Sequence, residues 1–137
     1  MGLYLCIFEN EEDVDGVDVG SYGDYNHLRN TIVQVFEGGE AGSRCPVLTL
    51  HSDCDGTWTP EECMRLEKEV LAVIDVFKQR PAIPFHSPWQ AEVAKGIGLR
   101  PANLYESFID VDGEPLLDRL LKLTRAAQHR NAPITFQ

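Results

Sequence analysis

At 137 residues, 43% hydrophobic and 25% charged, the chain has the make-up of one globular domain, residues 1–137, long enough to bury a core without metal or disulfide staples. Twelve Lys and Arg face 22 Asp and Glu, a formal net charge of -10 with no basic run, which argues against nucleic acid as a partner and favours a basic protein; acidity serving solubility alone stays open beside it. No stretch approaches the roughly 20 apolar residues of a membrane span, so no membrane is expected as a partner, and the four cysteines, Cys6, Cys45, Cys54 and Cys63, form no C-x-x-C pair and read as free thiols of a cytoplasmic protein.

Leu3 to Phe8 is dense in strand formers and reads as a buried strand; it is too short, and lacks the basic flank, for a signal peptide. The acidic stretch Glu9 to Asp18, with Gly16 inside it, reads as a loop. Past the Gly20-Ser21-Tyr22-Gly23 turn, Leu28, Ile32, Val35 and Phe36 recur at helical spacing, with Asp24 as cap and Gly38-Gly39 as stop, which predicts a helix of about three turns. Pro46 to Leu50 reads as a second short strand. Thr59-Pro60-Glu61-Glu62 then predicts a helix start: Thr59 caps, Pro60 takes the first helical position, and Glu62 completes a capping box. Cys63, Leu66, Val70, Val73, Ile74 and Phe77 fall on one face of this helix, Glu61 and Arg65 pair on its outer side, and it should end before Pro81.

From Arg80 to Pro88 three prolines enforce an irregular connection, followed by a short helix, Trp89 to Val93, broken by Gly96 and Gly98. Leu104 to Val111 reads as a strand or extended segment. Pro115 opens a third main helix with Leu117, Leu120, Leu121 and Thr124 inward, and Pro133 to Phe136 returns as a final edge strand. The order points to an α/β or α+β domain, a short sheet of about four strands packed by three main helices.

The segment His51 to Glu62 carries the most chemistry. With Gly56 at the sixth position of a calcium loop, Asp53, Asp55 and Glu62 occupy the third, fifth and twelfth; the first position, however, is His51, a nitrogen ligand poorly suited to a hard cation, and a strand rather than a helix precedes it. Asp-x-Asp-Gly recurs at Asp13 to Gly16 and Asp110 to Gly113 without the acidic residue six places on, so the triplet reads as a turn former. For zinc, His51, Cys54, Cys63 and His86 supply suitable atoms but lack closely paired spacing, and burial explains Cys63 more simply. A hydrolase built on His51 and Cys54 has no recognisable motif around it, and neither Gly38-Gly39 nor Gly96-x-Gly98 forms a phosphate cradle. No catalytic residue, cofactor or metal ligand is therefore assigned, and a calcium- or zinc-binding module centred on His51 to Glu62 is the alternative reading.

Tyr22, Tyr25, Trp58, Trp89 and Tyr105 flank the acidic or glycine-containing segments. Core packing is the simpler account of Trp89 and Tyr105, whereas exposed aromatics rimmed by carboxylates would suit a protein partner of basic character.

Four segments carry a family resemblance: Val19-Gly20-Ser21-Tyr22-Gly23-Asp24-Tyr25, the stretch His51 to Trp58, the stretch Asn103 to Leu116, and the terminal Pro133-Ile134-Thr135-Phe136-Gln137. Over nearly its whole length the chain resembles the small bacterial immunity proteins of polymorphic toxin systems, most closely the group called immunity protein family seventy. The resemblance implies a cytoplasmic antidote that binds a cognate toxin domain and blocks it without chemistry; a basic nuclease would match the charge. On that reading Asp13, Asp15, Asp18, Asp53 and Asp55, with Tyr22 and Trp58, are the expected contributors to the partner surface.

Overall fold

The structure, a computed structural model, describes residues 2–137. Strands β1 (Gly2–Glu9) and β2 (Glu12–Ser21) form an antiparallel hairpin, so the acidic stretch expected to be a loop is mostly strand. The turn is Asn10-Glu11, both at positive φ (53° and 65°), the conformation a two-residue hairpin turn requires. Glutamate at the second turn position, where glycine is usual, hides this hairpin from sequence; the inward alternation of Val17 and Val19 is the trace it leaves.

Helix α1 (Tyr22–Val35) follows directly. Its cap is Ser21, whose Oγ accepts from the Asp24 N–H at 3.0 Å while Asp24 Oδ2 accepts from the Ser21 N–H at 3.0 Å; Asp24 is thus the third helical residue of a capping box, not the cap itself. Pro46 to Leu50 is not a strand but a one-turn helix, α2 (Pro46–Leu50). Proline at its first position favours the turn, and the buried carboxylate of Glu69, far along the chain, accepts from the N–H groups of Val47 (3.3 Å) and Leu48 (3.0 Å).

A two-residue strand β3 (Thr57–Trp58) precedes α3 (Pro60–Lys78), where the predicted box closes: Glu62 N–H to Thr59 Oγ1 at 3.1 Å and Thr59 N–H to Glu62 Oε1 at 3.0 Å. Arg65 pairs with Glu69 (3.0 Å) rather than with Glu61, because Glu69 is already held against α2 and offers a fixed carboxylate one turn on. Helix α4 (Pro88–Ile97) runs through Gly96 and ends at Gly98, left-handed at φ 74°. Leu104 to Val111 is not a strand: it holds a 3₁₀ turn at Tyr105–Ser107 and only an isolated bridge between Ile109 and Pro115. Helix α5 (Leu116–Arg130) leads into β4 (Ile134–Phe136).

The sheet has order β2-β1-β4-β3, antiparallel throughout, with helices packed against one face, an α+β arrangement. β4 lies inside the sheet between β1 and β3, not at its edge, because its inward residues Ile134 and Phe136 complete the core beside Leu5, Ile7 and Trp58. Each fully buried aliphatic side chain of this layer contributes roughly 1.5–3 kcal/mol relative to exposure. Side chains directly opposite one another share a face. The register therefore puts Tyr4, Cys6 and Phe8 of β1 with Asp18, Gly16 and Asp13 of β2, and with Thr135 and Thr57, on the face that takes no part in the core cluster.

Candidate partner-binding surface

The carboxylates of β2 divide by register. Asp13 and Asp18 stand opposite Phe8 and Tyr4 on the outer face, while Asp15 stands opposite Ile7 at the rim of the helical side, near Arg119 and Lys122. All three aspartates are exposed. Asp13 Oδ2 accepts from the Tyr4 hydroxyl at 2.6 Å, and this bond to a carboxylate, with smaller effects of burial and the neighbouring negative charge, pushes the phenol up to about 12. Tyr4 therefore stays a donor at any physiological pH. Asp15 Oδ1 accepts from Gly16 N–H (2.8 Å) and Asp18 Oδ1 from Gly20 N–H (3.2 Å). These single local bonds hold one oxygen of each side chain, and among the described residues the other oxygen takes no further hydrogen bond.

The His51 to Glu62 segment lies at the opposite edge of the sheet, some three strand spacings or ~14 Å from β2. Its polar groups are largely consumed in folding. Both ring nitrogens of His51 lie against carbonyl oxygens, Nδ1 at 2.8 Å from Ser52 and Nε2 at 2.9 Å from Thr57, and the ring stacks on Phe136 at 4.3 Å. Neither nitrogen is directed at a metal position or at the Cys54 sulfur. Asp53 Oδ2 accepts from Asn26 Nδ2 at 2.6 Å, a bond that holds its carboxyl below the ordinary range, and Arg29, which bonds Asn26 Oδ1 at 2.7 Å, also donates to the His51 carbonyl. Glu62 is turned back onto its own cap. The calcium-like spacing thus does not become a converging ligand set, and among the described residues no cluster of three or more His, Cys, Asp or Glu is arranged to hold a metal ion. Burial pushes the thiols of Cys6, Cys45 and Cys63 up to about 11, 12 and 12, so these three are protonated and unreactive near neutral pH.

Trp58 corrects the sequence expectation most directly. It is 0% exposed, its indole N–H donates to the Val47 carbonyl at 3.2 Å, and its ring meets Phe136 edge-on at 4.7 Å; no partner can touch it. β3 pairs Trp58 with Ile134, which turns the indole into the core and leaves Thr57 outside. Tyr22 is half-buried against the core at the start of α1. Asp53 is anchored and only half-exposed, and Asp55 is exposed. The seven expected residues are therefore not one patch: Asp13 and Asp18 share the outer face, Asp15 lies behind them, and Asp53 and Asp55 flank the far edge.

The aromatics that do stand with the carboxylates are Tyr4 and Phe8, the latter 37% exposed. Sequence reasoning missed them because β1 reads as a strand buried on both faces; the alternation becomes visible only once Leu3, Leu5 and Ile7 are known to point inward. Asp24 is a buried junction: its Oδ2 accepts from Ser21 N–H, Ser21 Oγ–H (2.8 Å) and Trp89 Nε1–H (2.9 Å), and its Oδ1 from Ser87 Oγ–H. Burial alone would raise its pKa; the donors, Ser87 foremost, outweigh burial and hold it low. It ties the start of α4 to the start of α1. A separate groove of about 610 Å³, lined by Phe36, Arg44, Met64, Arg65 and Lys68, lies on the outer side of α3, away from these residues. Among the described residues no helix is long and apolar enough to cross a membrane.

A family model described as Immunity protein 70 matches residues 3–136, nearly the whole chain, and the chain belongs to that family. No curated protein and no solved structure matches it.

Proposed function

We propose that this member of the immunity protein 70 family acts in the cytoplasm as an antidote that binds one cognate toxin domain stoichiometrically and occludes it without chemistry. The immunity role in a toxin system follows from the family. The single observation that supports a basic toxin, of which a nuclease is the natural example, is the surface on which Asp13 and Asp18, exposed and without a basic partner among the described residues, stand beside Tyr4 and Phe8. Negative charge there would steer a cationic active-site groove into register and hold it, while the aromatic rings supply contact area. Co-expression with the toxin encoded by the adjacent reading frame tests this: growth is rescued and the pair co-purifies. Association should also slow as salt rises, because steering between opposite charges is screened within about 10 Å at 0.1 M. Absence of both rescue and complex overturns the reading; a complex insensitive to salt overturns the basic-toxin part of it.

A further inference from the structure

The two edges of the sheet resist strand addition. In the middle and second half of β2, four backbone groups are already bonded outside the β1 ladder. Gly16 N–H donates to Asp15 Oδ1 (2.8 Å) and its carbonyl accepts from Arg119 Nη2 (3.2 Å); the Asp18 carbonyl accepts from Val111 N–H (3.2 Å), and Gly20 N–H donates to Asp18 Oδ1 (3.2 Å). The register with β1 also shifts twice, skipping Val14 and Val19, which bends the edge. The other edge, β3, is only two residues long. Short strands, bulges and capped backbone groups are the devices by which an edge resists an incoming strand.

The outer face of the sheet has the opposite character. Tyr4 lies across Gly16, where an added Cβ would come within 2.4 Å of the tyrosine Cζ, and its hydroxyl is tied to Asp13. The ring is therefore held along the sheet by a residue with no side chain and by one hydrogen bond. Phe8 follows on the same face, with Asp13 and Asp18 beside the two rings across the β1–β2 ladder. Rigid aromatics lose little freedom on binding, and a planar cation can lie on them while carboxylates take its N–H groups.

We infer that the toxin docks on this helix-free face through an arginine-bearing segment, separate guanidinium groups stacking on Tyr4 and on Phe8 and pairing with Asp18 and Asp13 beside them, and not by adding a strand to the sheet. The inference rests on the immunity reading above and specifies its surface and the chemistry of its occupant. Arginine is favoured over lysine because only the guanidinium combines a flat stacking face with a forked set of donors.

The test is calorimetric titration of the full chain with the toxin domain of the adjacent reading frame, carrying an inactivating substitution. Phe8→Ala combined with Asp18→Asn, which removes one ring and one carboxylate from the two ends of this face, should weaken binding about tenfold or more. Val14→Pro, which would further hinder pairing along the turn-proximal part of β2, and Lys68→Glu, on the outer side of α3, should leave affinity within about threefold, as substitutions outside an interface core do. The near-ultraviolet signal of buried Trp58 verifies that each variant is folded, and Thr135→Arg, which puts a cation on the same face, provides a second disruption should Phe8→Ala fail to fold. Loss of binding in Val14→Pro with retention in both face variants overturns the surface while leaving the immunity role intact. Absence of any binding by the wild-type chain overturns the immunity role itself.

Discussion

Asp24→Asn puts an NH2 in place of one oxygen at the junction of α1 and α4: it removes the charge and, with the nitrogen in the Oδ1 position, reverses the bond with Ser87, whose Oγ must then accept. With the amide oxygen in the Oδ2 position, the bonds from Ser21 N–H, Ser21 Oγ–H and Trp89 Nε1–H survive, but each changes from a charge-assisted bond to a neutral one. Charge-assisted bonds are roughly twice as strong as neutral ones, so three weakened bonds cost about 2 kcal/mol together. Asp24→Ala leaves the Ser21 amide and the Trp89 indole as half-buried donors without this partner, at about 2–4 kcal/mol. For a chain of this length the asparagine variant should melt about 8 °C lower. Because donors hold the native carboxyl below its unfolded value, its contribution is fully present above about pH 4 and is lost as pH falls through the native pKa. The gap between wild type and Asp24→Asn should therefore close in acid. Urea unfolding followed by tryptophan fluorescence measures both, with a change in midpoint at constant slope marking a pure stability effect. A gap under about 0.5 kcal/mol at neutral pH, or one undiminished near pH 3, would refute the reasoning.

Three further outcomes follow from named contacts. Glu69→Ala removes the carboxylate that serves the Val47 and Leu48 amides; it should destabilise the chain by about 1–3 kcal/mol and raise hydrogen exchange at those two amides more than elsewhere in α2. Gly16→Val should displace the Tyr4 ring and break its bond to Asp13, lowering the phenol from about 12 toward its ordinary value in an ultraviolet titration while the other tyrosines are unmoved. Of the four cysteines only Cys54 is exposed; a thiol reagent should modify one equivalent in the native protein, none in Cys54→Ser, and all four once unfolded.

What could be read in the sequence was what is decided locally. The start of α3 is specified within four residues, Thr59 to Glu62, each satisfying a neighbour's backbone, and it forms as written. The inward faces of α3 and α5 follow from period alone. What could not be read depends on distant residues. Pro46-Val47-Leu48-Thr49-Leu50 has the composition of a strand, but its amides are claimed by Glu69 some twenty positions away. Leu104 to Val111 is apolar because it lies under α5 and α3, not because it joins a sheet. The acidic neighbours of Trp58 point to the surface, whereas the pairing of β3 with β4, from the far end of the chain, turns it inward.

The three Asp-x-Asp-Gly triplets show how the same local chemistry separates into structure and surface. At Asp110 the side chain is 1% exposed, its Oδ1 accepts from the amides of Asp112 and Glu114 at 3.0 Å each, and Arg119 lies 3.5 Å from Oδ2. Burial nonetheless raises its pKa, the mark of a carboxylate used to build a turn. At Asp53 one bond from Asn26 anchors the loop to α1. At Asp13 the only donor among the described residues is a tyrosine on the exposed face. The carboxylates open to a partner are those whose surroundings offer the fewest donors, since a side chain already satisfied inside the fold gains little from a second cation. By that criterion a net charge of -10 overstates the attractive surface, because Asp24, Glu37, Glu69 and Asp110 are spent in the interior, and says nothing of its direction, which Asp13 and Asp18 set by standing together on the outer face of the sheet. The salt dependence of toxin association should accordingly follow substitutions at Asp13 and Asp18 and be indifferent to the buried four wherever those variants fold.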